Sequence, residues 1–251
     1  YQFSNPCCVI HKHGNPCGVA LDQKQDKAYS KALNCDKISA FGGIVSFNKE
    51  VSYETAQKIN KIFTEIVIAP KFSEKAKNIL MGKQNLILVQ YKPNIKDRKI
   101  HVKSTNNFLL VQSKDVKIIK KNELDIRSIL KPAKKHLEDM IFAFIVAKYI
   151  NSNSIVLANN LSTISIGVGQ TNRLEAAEQA IKKKKKKKFK AYSVMASDGF
   201  FPFSDIVKLC AKNKIIGIIQ PGGSKNDDNV IKTANKNNIS LVFTGIRHFK
   251  H

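Results

Sequence analysis

The chain has 251 residues, of which 43 are lysine or arginine and 19 are aspartate or glutamate, so its formal net charge is +24. This length supports a sizeable core, and the longest apolar run, residues 140 to 147, is far shorter than the ~20 residues of a membrane-spanning helix. Five cysteines without a Cys-x-x-Cys pair favour reduced thiols over a disulfide framework or a zinc ribbon. We therefore expect a globular cytosolic protein without a membrane segment.

The excess of lysine raises the question of a nucleic-acid partner, because a cationic surface attracts polyanions. The lysines are scattered, however, and the unbroken run at residues 182 to 188 has no interleaved aromatic residues for base stacking. We expect seven like charges in one helix to repel each other and to leave its end frayed and solvated. Specific nucleic-acid binding is therefore disfavoured, although weak binding at low salt is expected.

Apolar patterns and turn residues predict the elements of the first half. They give a strand, a glycine-rich turn and a helix at residues 7 to 11, 14 to 18 and 22 to 33. A β-rich run broken by two glycines, a helix and a short strand follow at 40 to 47, 52 to 63 and 66 to 69. The lysine-rich stretch from 71 to 135 is less informative, with strands expected only at 85 to 89 and 108 to 111.

The second half opens with a helical apolar pattern at residues 136 to 150, whose extra apolar positions predict a largely buried helix. Two strands follow at 155 to 158 and 164 to 169, and then a helix that Asn172 could cap through an Asn-x-x-Glu pattern. Two helix-strand units complete the chain, at 204 to 212 with 215 to 220 and at 227 to 236 with 239 to 243. This alternation predicts an α/β fold with a parallel sheet and helices on its faces.

Four polar, glycine-bearing clusters lie at the ends of predicted strands, at residues 12 to 18, 167 to 173, 197 to 203 and 220 to 224. Open α/β sheets tend to bind ligands at such ends, although each cluster alone is also compatible with ordinary loop geometry. In the last cluster the glycines would free backbone N–H groups for an anionic or polar ligand at a helix start. Asp227 and Asp228 are interpreted as first-turn acids that face the helix dipole.

Lys12 and His13 place a cation beside a proton acceptor directly after a strand. A neighbouring cation favours the neutral imidazole, which can take a proton, and an ammonium can stabilise a developing oxyanion. Acyl transfer to a weak amine needs both functions, although such a pair on a surface is more often structural. His11, His13 and Cys17 lack a fourth ligand at suitable spacing, so no metal site is predicted.

Several motifs occur in one order along the chain. The first four are Lys-His-Gly-Asn-Pro-Cys-Gly-Val-Ala at residues 12 to 20, Ser-Ala-Phe-Gly-Gly-Ile at 39 to 44, Ile-Ala-Pro at 68 to 70 and Ile-Gly-x-Gly-Gln-x-x-Arg at 166 to 173. The last three are Ala-Ser-Asp-Gly-Phe-Phe-Pro-Phe at 196 to 203, Gln-Pro-Gly-Gly-Ser at 220 to 224 and Phe-Thr-Gly-Ile-Arg-His-Phe-Lys-His at 243 to 251. From residue 9 to 251 the chain resembles the 5-aminoimidazole-4-carboxamide ribonucleotide (AICAR) transformylase portion of the bifunctional purine-biosynthesis family.

The resemblance implies two cytidine-deaminase-like α/β/α lobes, at residues 1 to 121 and 122 to 251, in a homodimer with shared active sites. It implies transfer of a formyl group from 10-formyltetrahydrofolate to the 5-amino group of AICAR. The catalytic residues that it implies are Lys12, His13 and Asn160, with His13 helping to deprotonate the amine, Lys12 steadying the formyl oxygen or assisting folate departure, and Asn160 holding the formyl group. The implied substrate-binding residues are Asn15, Gly42, Gly43, Glu65, Arg173, Asp198, Phe200, Gln220, Gly222, Gly223, Arg247 and Phe249. Among these, Glu65 and Arg247 would contact the nucleotide, and Phe200 and Phe249 would help to line the folate site.

The sequence departs from the family pattern in places. Positions 157 and 159 are Leu and Asn where the family has Tyr and Lys. The family's Arg-Tyr-Gly and Asn-Pro-His-Gln segment, which binds the nucleotide, and its IMP cyclohydrolase domain have no counterpart among these 251 residues. A second hypothesis is therefore a relative that keeps the fold and the dimer with impaired catalysis, and a third is a basic nucleic-acid-binding module.

Overall fold

A computed structural model describes residues 3 to 91 and 100 to 250. Within them the helices are α1 (Gln25–Cys35), α2 (Lys37–Ala40), α3 (Tyr53–Asn60), α4 (Glu74–Met81), α5 (Lys134–Ala147), α6 (Arg173–Lys186), α7 (Asp205–Ala211) and α8 (Asp227–Lys236), with a 3-10 turn at Lys121–Glu123. The first strands are β1 (Cys7–Lys12), β2 (Asn15–Leu21), β3 (Gly43–Phe47), β4 (Thr64–Ala69), β5 (Ile87–Gln90), β6 (Ile100–Ser104) and β7 (Leu109–Ser113). The remaining strands are β8 (Asp125–Ile126), β9 (Ile155–Asn159), β10 (Ser162–Gly167), β11 (Ser193–Ser197), β12 (Ile215–Gln220) and β13 (Ser240–Phe243).

One mixed sheet of eleven strands runs through the molecule in the order β5-β4-β3-β1-β2-β10-β9-β11-β12-β13-β8. The α/β class is thereby confirmed. The prediction of a parallel sheet is wrong for the centre, where β1 pairs antiparallel with β2 and with β3, and β9 pairs antiparallel with β10 and with β11. Two-residue turns join β1 to β2 and β9 to β10, and such turns can connect only antiparallel strands, whereas the helical crossovers on the flanks give parallel pairs.

The strand order is nearly the same when read from either end, so the sheet has a local two-fold relation between β2 and β10. Strands β1 to β5 correspond to β9 to β13, and the two halves meet where Ala20 pairs antiparallel with Ser162. The predicted lobes are thus halves of one continuous sheet, and their likeness to cytidine deaminase stays a prediction. Because the two-fold rotation reverses the direction of the strands, the β1–β2 turn and the β9–β10 turn lie at opposite edges of the sheet, at opposite ends of the strands.

Helices cover the sheet unequally. One face packs against α1, α3 and α4 in the first half and α6, α7 and α8 in the second, while α5 lies on the other face of the second half. The predicted burial of α5 is confirmed, because its residues from Met140 onward are buried except for the half-buried Ile141. None of the helices in the described parts of the chain is long and apolar enough to cross a membrane.

The prediction of a turn at residues 14 to 18 is wrong, because strand β2 already begins at Asn15. Gly18 is required for packing instead. A Cβ atom on Gly18 would lie 2.0 Å from the carbonyl oxygen of Ala32 in α1, so only glycine lets helix and strand approach this closely. Gly167 has the same role in the second half, where a Cβ atom would lie 1.9 Å from the carbonyl oxygen of Ala176 in α6.

The lysine run is helical rather than frayed, whereas five of its seven lysines are exposed to solvent, as expected. Helix α6 continues through Lys186, and Lys184 is buried, with its Nζ donating to Ser193 Oγ at 2.9 Å and to the carbonyl oxygen of Asn213 at 2.8 Å. Lys187 Nζ donates to the carbonyl oxygens of Cys35 and Ile164. Long lysine stems can cross apolar surface and deliver the ammonium to free carbonyl groups, and burial lowers the pKa of both Lys184 and Lys187.

Candidate active site

The turn between β1 and β2 carries the predicted catalytic pair. His13 and Gly14 have φ angles of +49° and +77°, the signs that a type I′ hairpin turn needs at both central residues. His13 is exposed at the tip. Beside it Lys12 Nζ donates to the carbonyl oxygen of Phe41 at 2.7 Å. A fixed ammonium and an accessible imidazole therefore occupy one edge of the sheet.

Gly42, Gly43 and Glu65 lie at the same edge, because β3 and β4 begin where β1 ends. The N–H of Gly42 donates to the carbonyl oxygen of Phe63 at 2.9 Å. A Cβ atom on Gly42 would lie 3.3 Å from the Phe63 ring and 3.7 Å from Glu65 Oε1, and one on Gly43 would lie 2.9 Å from the carbonyl oxygen of Ala40. The two glycines thus allow the backbone to turn tightly beside an exposed carboxylate.

Asp198 organises the second half of the site. It is fully buried, and its Oδ2 accepts hydrogen bonds from the backbone N–H of Ser154 at 3.0 Å and from the hydroxyl of Ser152. Its Oδ1 pairs with Arg173 Nη2 at 3.2 Å, and Arg173 Nη1 donates to the carbonyl oxygen of Phe200 at 3.1 Å. The buried ion pair therefore fixes the loop that presents Phe200.

Phe200 and Arg247 are in contact. The Arg247 guanidinium lies 4.5 Å from the centroid of the Phe200 ring, a distance typical of a cation–π interaction. A Cβ atom on Gly223 would lie 3.7 Å from Arg247 Nη2. Phe249, two residues further along, is half exposed. Aromatic surface and a guanidinium are thus presented together.

The loop at residues 220 to 224 is closed on itself, so the prediction that its N–H groups face an anionic ligand is wrong. Gln220 Oε1 accepts from Gly222 N–H and Phe201 N–H, each at 3.1 Å. Asp227 Oδ2 accepts from Gly223 N–H at 2.7 Å and from the N–H of Ser224 at 3.2 Å. Asp227 therefore caps the loop rather than simply facing the helix dipole, whereas the buried Nε2 of Gln220 has no hydrogen-bond partner among the described residues.

The loop at residues 151 to 154, which sequence reasoning missed, connects the two halves of the site together with the carboxy-terminal segment. Asn15 Oδ1 accepts from the backbone N–H of Asn151 at 2.9 Å. Lys250 Nζ donates to the carbonyl oxygen of Gly14, and the N–H of His248 donates to that of Asp198 at 3.0 Å. The only sequence signal for the loop was an Asn-Ser-Asn-Ser run between a buried helix and a buried strand.

Cavities lie on both sides of the β1–β2 hairpin, and Pro16 lines both. The first, of about 260 Å³, has a mixed lining whose polar residues are Lys12, His13, Asn15, Asp36, Ser39 and Lys183. The second, of about 390 Å³, is mainly apolar, with His11 and Lys250 at its rim. Burial, and then the Lys250 charge, lower the pKa of His11. His11 and His13 thus face different cavities, and no three His, Cys, Asp or Glu side chains converge on a metal site in the described ranges.

Asn160 lies apart from Lys12 and His13 within one chain, and its predicted role of holding the formyl group stays a prediction that requires an active site shared between two subunits. It lies in the β9–β10 turn with φ +49°, and its N–H donates to Asp139 Oδ2 at 3.0 Å. The neighbouring Leu161 carbonyl accepts from the N–H of Leu21, at the far end of β2. Strand β2 places that end ~20 Å from Asn15, at ~3.4 Å per residue.

Comparison with known proteins gives the family. The family model described as AICARFT/IMPCHase bienzyme matches residues 1–183, which is more than half of the chain. The chain belongs to this family. The matched residues include Lys12, His13 and Arg173, while Asp198 and Arg247 lie beyond them.

Whole-chain relatives extend the match across the rest of the site. The protein named bifunctional purine biosynthesis protein PurH from Caldicellulosiruptor saccharolyticus is 47% identical to this chain over 251 residues. Its namesake from Fusobacterium nucleatum is 43% identical over 250 residues. The protein of that name from Buchnera aphidicola is 46% identical over 255 residues. Each match covers all of this chain and 48% to 49% of the relative, so the chain spans about half the length of these relatives.

Proposed function

We propose that this chain transfers a formyl group from 10-formyltetrahydrofolate to the 5-amino group of AICAR, a step in the synthesis of IMP. The observation that carries the proposal is the adjacency of Lys12 and His13 at one turn, which hydrogen bonds of Asn15 and Lys250 connect to the second half of the site. We place the protein in the cytosol, consistent with five cysteines that are all free thiols.

The chemistry follows from these two side chains. The amine nitrogen of the nucleotide attacks the formyl carbon, the new C–N bond forms, and the bond from that carbon to N10 of the folate breaks. His13 accepts the proton that the amine loses, and N10 regains a proton as tetrahydrofolate departs. Lys12 uses one N–H on the Phe41 carbonyl and has two more with which to stabilise the oxyanion of the tetrahedral intermediate.

Substrate binding is assigned to the groups around the turn. Arg247 supplies a guanidinium for the anionic nucleotide, and Glu65 an exposed carboxylate for its hydroxyl or amino groups. Phe200 and the half-exposed Phe249 offer aromatic surface to a pterin ring. We further propose that the active unit is a homodimer with shared active sites, because one chain leaves the edge that carries His13 and Glu65 open.

Purified protein incubated with AICAR and 10-formyltetrahydrofolate tests the proposal. Tetrahydrofolate release and formylated nucleotide should appear together in equal amounts. Inosine monophosphate, which lacks the 5-amino group, is the matched control and should give neither product. Protein that is folded, binds both substrates and still forms no product would disprove the transfer, because recognition would then exist without chemistry.

A further inference from the structure

Arg247 lies on a segment without regular secondary structure, because residues 244 to 250 follow β13 and form neither helix nor strand. Its side chain is exposed, and the guanidinium stacks on Phe200 but makes no hydrogen bond or ion pair with the residues that the structure describes. All five of its N–H groups are thus available to an anion. The direction in which they point depends on how the backbone beside Arg247 is fixed.

His248, the next residue, fixes that backbone. Its N–H donates to the carbonyl oxygen of Asp198 at 3.0 Å, and its buried ring packs against Phe144 with the ring centroids 4.9 Å apart. Burial lowers the pKa of the imidazole below its ordinary 6.5, so the neutral ring donates its Nδ1 proton to the carboxylate of Asp115. The His248 side chain therefore has one orientation, and it constrains the backbone that carries Arg247.

Asp115 comes from a distant part of the chain and is itself held in place. It lies two residues after β7 and 133 residues before His248, and its Oδ1 accepts from Lys148 Nζ at 3.1 Å. The Lys148 side chain is only 6% exposed, and its Nζ also donates to the carbonyl oxygen of Lys117 at 2.8 Å. Among the described residues, Asp115 is the only acid whose side chain pairs with the segment from 244 to 250.

We propose that Asp115 is a positioning residue for nucleotide binding, which sets the direction of the Arg247 guanidinium through His248. The inference rests on the role of Arg247 in the proposed function. It predicts an effect whose sign differs from that of charge alone. Removal of a carboxylate near an anion site would strengthen the binding of the anion by Coulomb attraction, whereas loss of positioning weakens it.

The test measures the dissociation constant of AICAR by titration calorimetry, without folate, for the parent and for Asp115→Ala. The constant should rise ~10–100-fold, the range that corresponds to loss of one charge-assisted hydrogen bond. The matched control is Glu123→Ala, which removes another acid of the same connection, paired with Lys117 at 2.8 Å. Because Glu123 does not contact the segment from 244 to 250, this control should bind AICAR as tightly as the parent.

A thermodynamic cycle separates positioning from a general loss of structure. If Asp115 acts by directing the guanidinium, Asp115→Ala should have little further effect once Arg247→Ala is present, because the directed group is gone. A substitution that loosened the whole site would weaken binding by the same factor in both backgrounds. Circular dichroism at the temperature of the titration shows whether each variant is folded.

His248→Leu provides a second variant, which keeps apolar contact with Phe144 and removes the Nδ1 donor. It should weaken AICAR binding as Asp115→Ala does, and it replaces Asp115→Ala in the cycle if that protein does not fold. Affinity equal to that of the parent, or an equal loss with and without the Arg247 side chain, overturns the proposal. A parent that binds no AICAR overturns it together with the proposed function, whereas AICAR binding without formyl transfer refutes the proposed function alone.

Discussion

Asp198 is the point at which the site is most sensitive to a small change, and Asp198→Asn tests this directly. The substitution keeps the size of the side chain and removes its charge. The amide can accept at one position only, so its NH₂ group would face either the Ser154 N–H or the Arg173 guanidinium, both of which are donors. Arg173, with a side chain 13% exposed, would lose its only carboxylate partner among the described residues.

The expected loss can be estimated from burial. Removal of one partner of a buried ion pair costs ~3–5 kcal/mol, because the other charge is left uncompensated. The lower end, about 3 kcal/mol, fits here because the amide keeps one acceptor. For a chain of this size each kcal/mol corresponds to ~2–4 °C in melting temperature, so we expect a decrease of about 6–12 °C. Formyl transfer should decrease further, because the Asp198 carboxylate holds the loop that contacts Asn15.

Thermal unfolding followed by circular dichroism is the measurement, with Asp125→Asn as the matched control. Asp125 also pairs with an arginine, Arg127, at 3.2 Å, but its side chain is 60% exposed. Exposed pairs contribute less than ~1 kcal/mol, so the control should melt within about 3 °C of the parent. Equal melting temperatures for the two variants would refute the argument that burial gives the Asp198 pair its importance.

Two further substitutions test the packing at Gly18 and the ion pairs of Asp115. Gly18→Ala should lower the free energy of unfolding by about 2–3 kcal/mol through overpacking, because its Cβ would lie 2.0 Å from the Ala32 carbonyl oxygen. Gly14→Ala, with φ +77° and open space around it, is the control and should lower it by about 1 kcal/mol. Equal losses of stability in thermal unfolding would contradict the packing argument. Burial acts to raise the pKa of Asp115, but hydrogen bonds from the neighbouring imidazole and ammonium outweigh it and leave the pKa below 3.8. Its stabilising contribution is therefore present above the unfolded pKa and is lost as pH falls through the lower folded pKa. Urea unfolding of Asp115→Asn should show a deficit of about 1–2 kcal/mol near pH 7, discounted for partial exposure, and a deficit that persists undiminished at pH ~2 would contradict this assignment.

The sequence predicts the fold well where periodic patterns have clear boundaries. Strand β12 and helix α8 have the bounds that were predicted, and Asn172 caps α6 by accepting from the N–H of Glu175 at 2.8 Å. Strand β11 and helix α4 were missed, because lysine-rich sequence obscured their apolar pattern. The first residues of strand β2 were predicted as a turn because proline and glycine are typical of turns. Gly18 is instead needed for close packing against helix α1, which the local sequence pattern does not show.

The candidate site was predictable only where its parts are neighbours in sequence. Lys12 and His13 are consecutive, so their proximity needed no fold. The contact between Asn15 and Asn151 joins residues 136 positions apart, and no local pattern could predict it. The separation of Asn160 from Lys12 and His13 within one chain was equally unpredictable, because it follows from the local two-fold relation of the sheet halves, which places the two hairpin turns at opposite edges of the sheet.

The central claim is that Lys12 and His13 perform the transfer, and the rate of AICAR formylation by His13→Ala tests it most directly. Loss of a general base should lower kcat by ~10²–10⁴-fold, with the melting temperature unchanged because the His13 side chain is exposed. His101→Ala, the same substitution at an exposed histidine in strand β6, should retain the parental rate. A folded His13→Ala protein that turns over as fast as the parent would contradict the account.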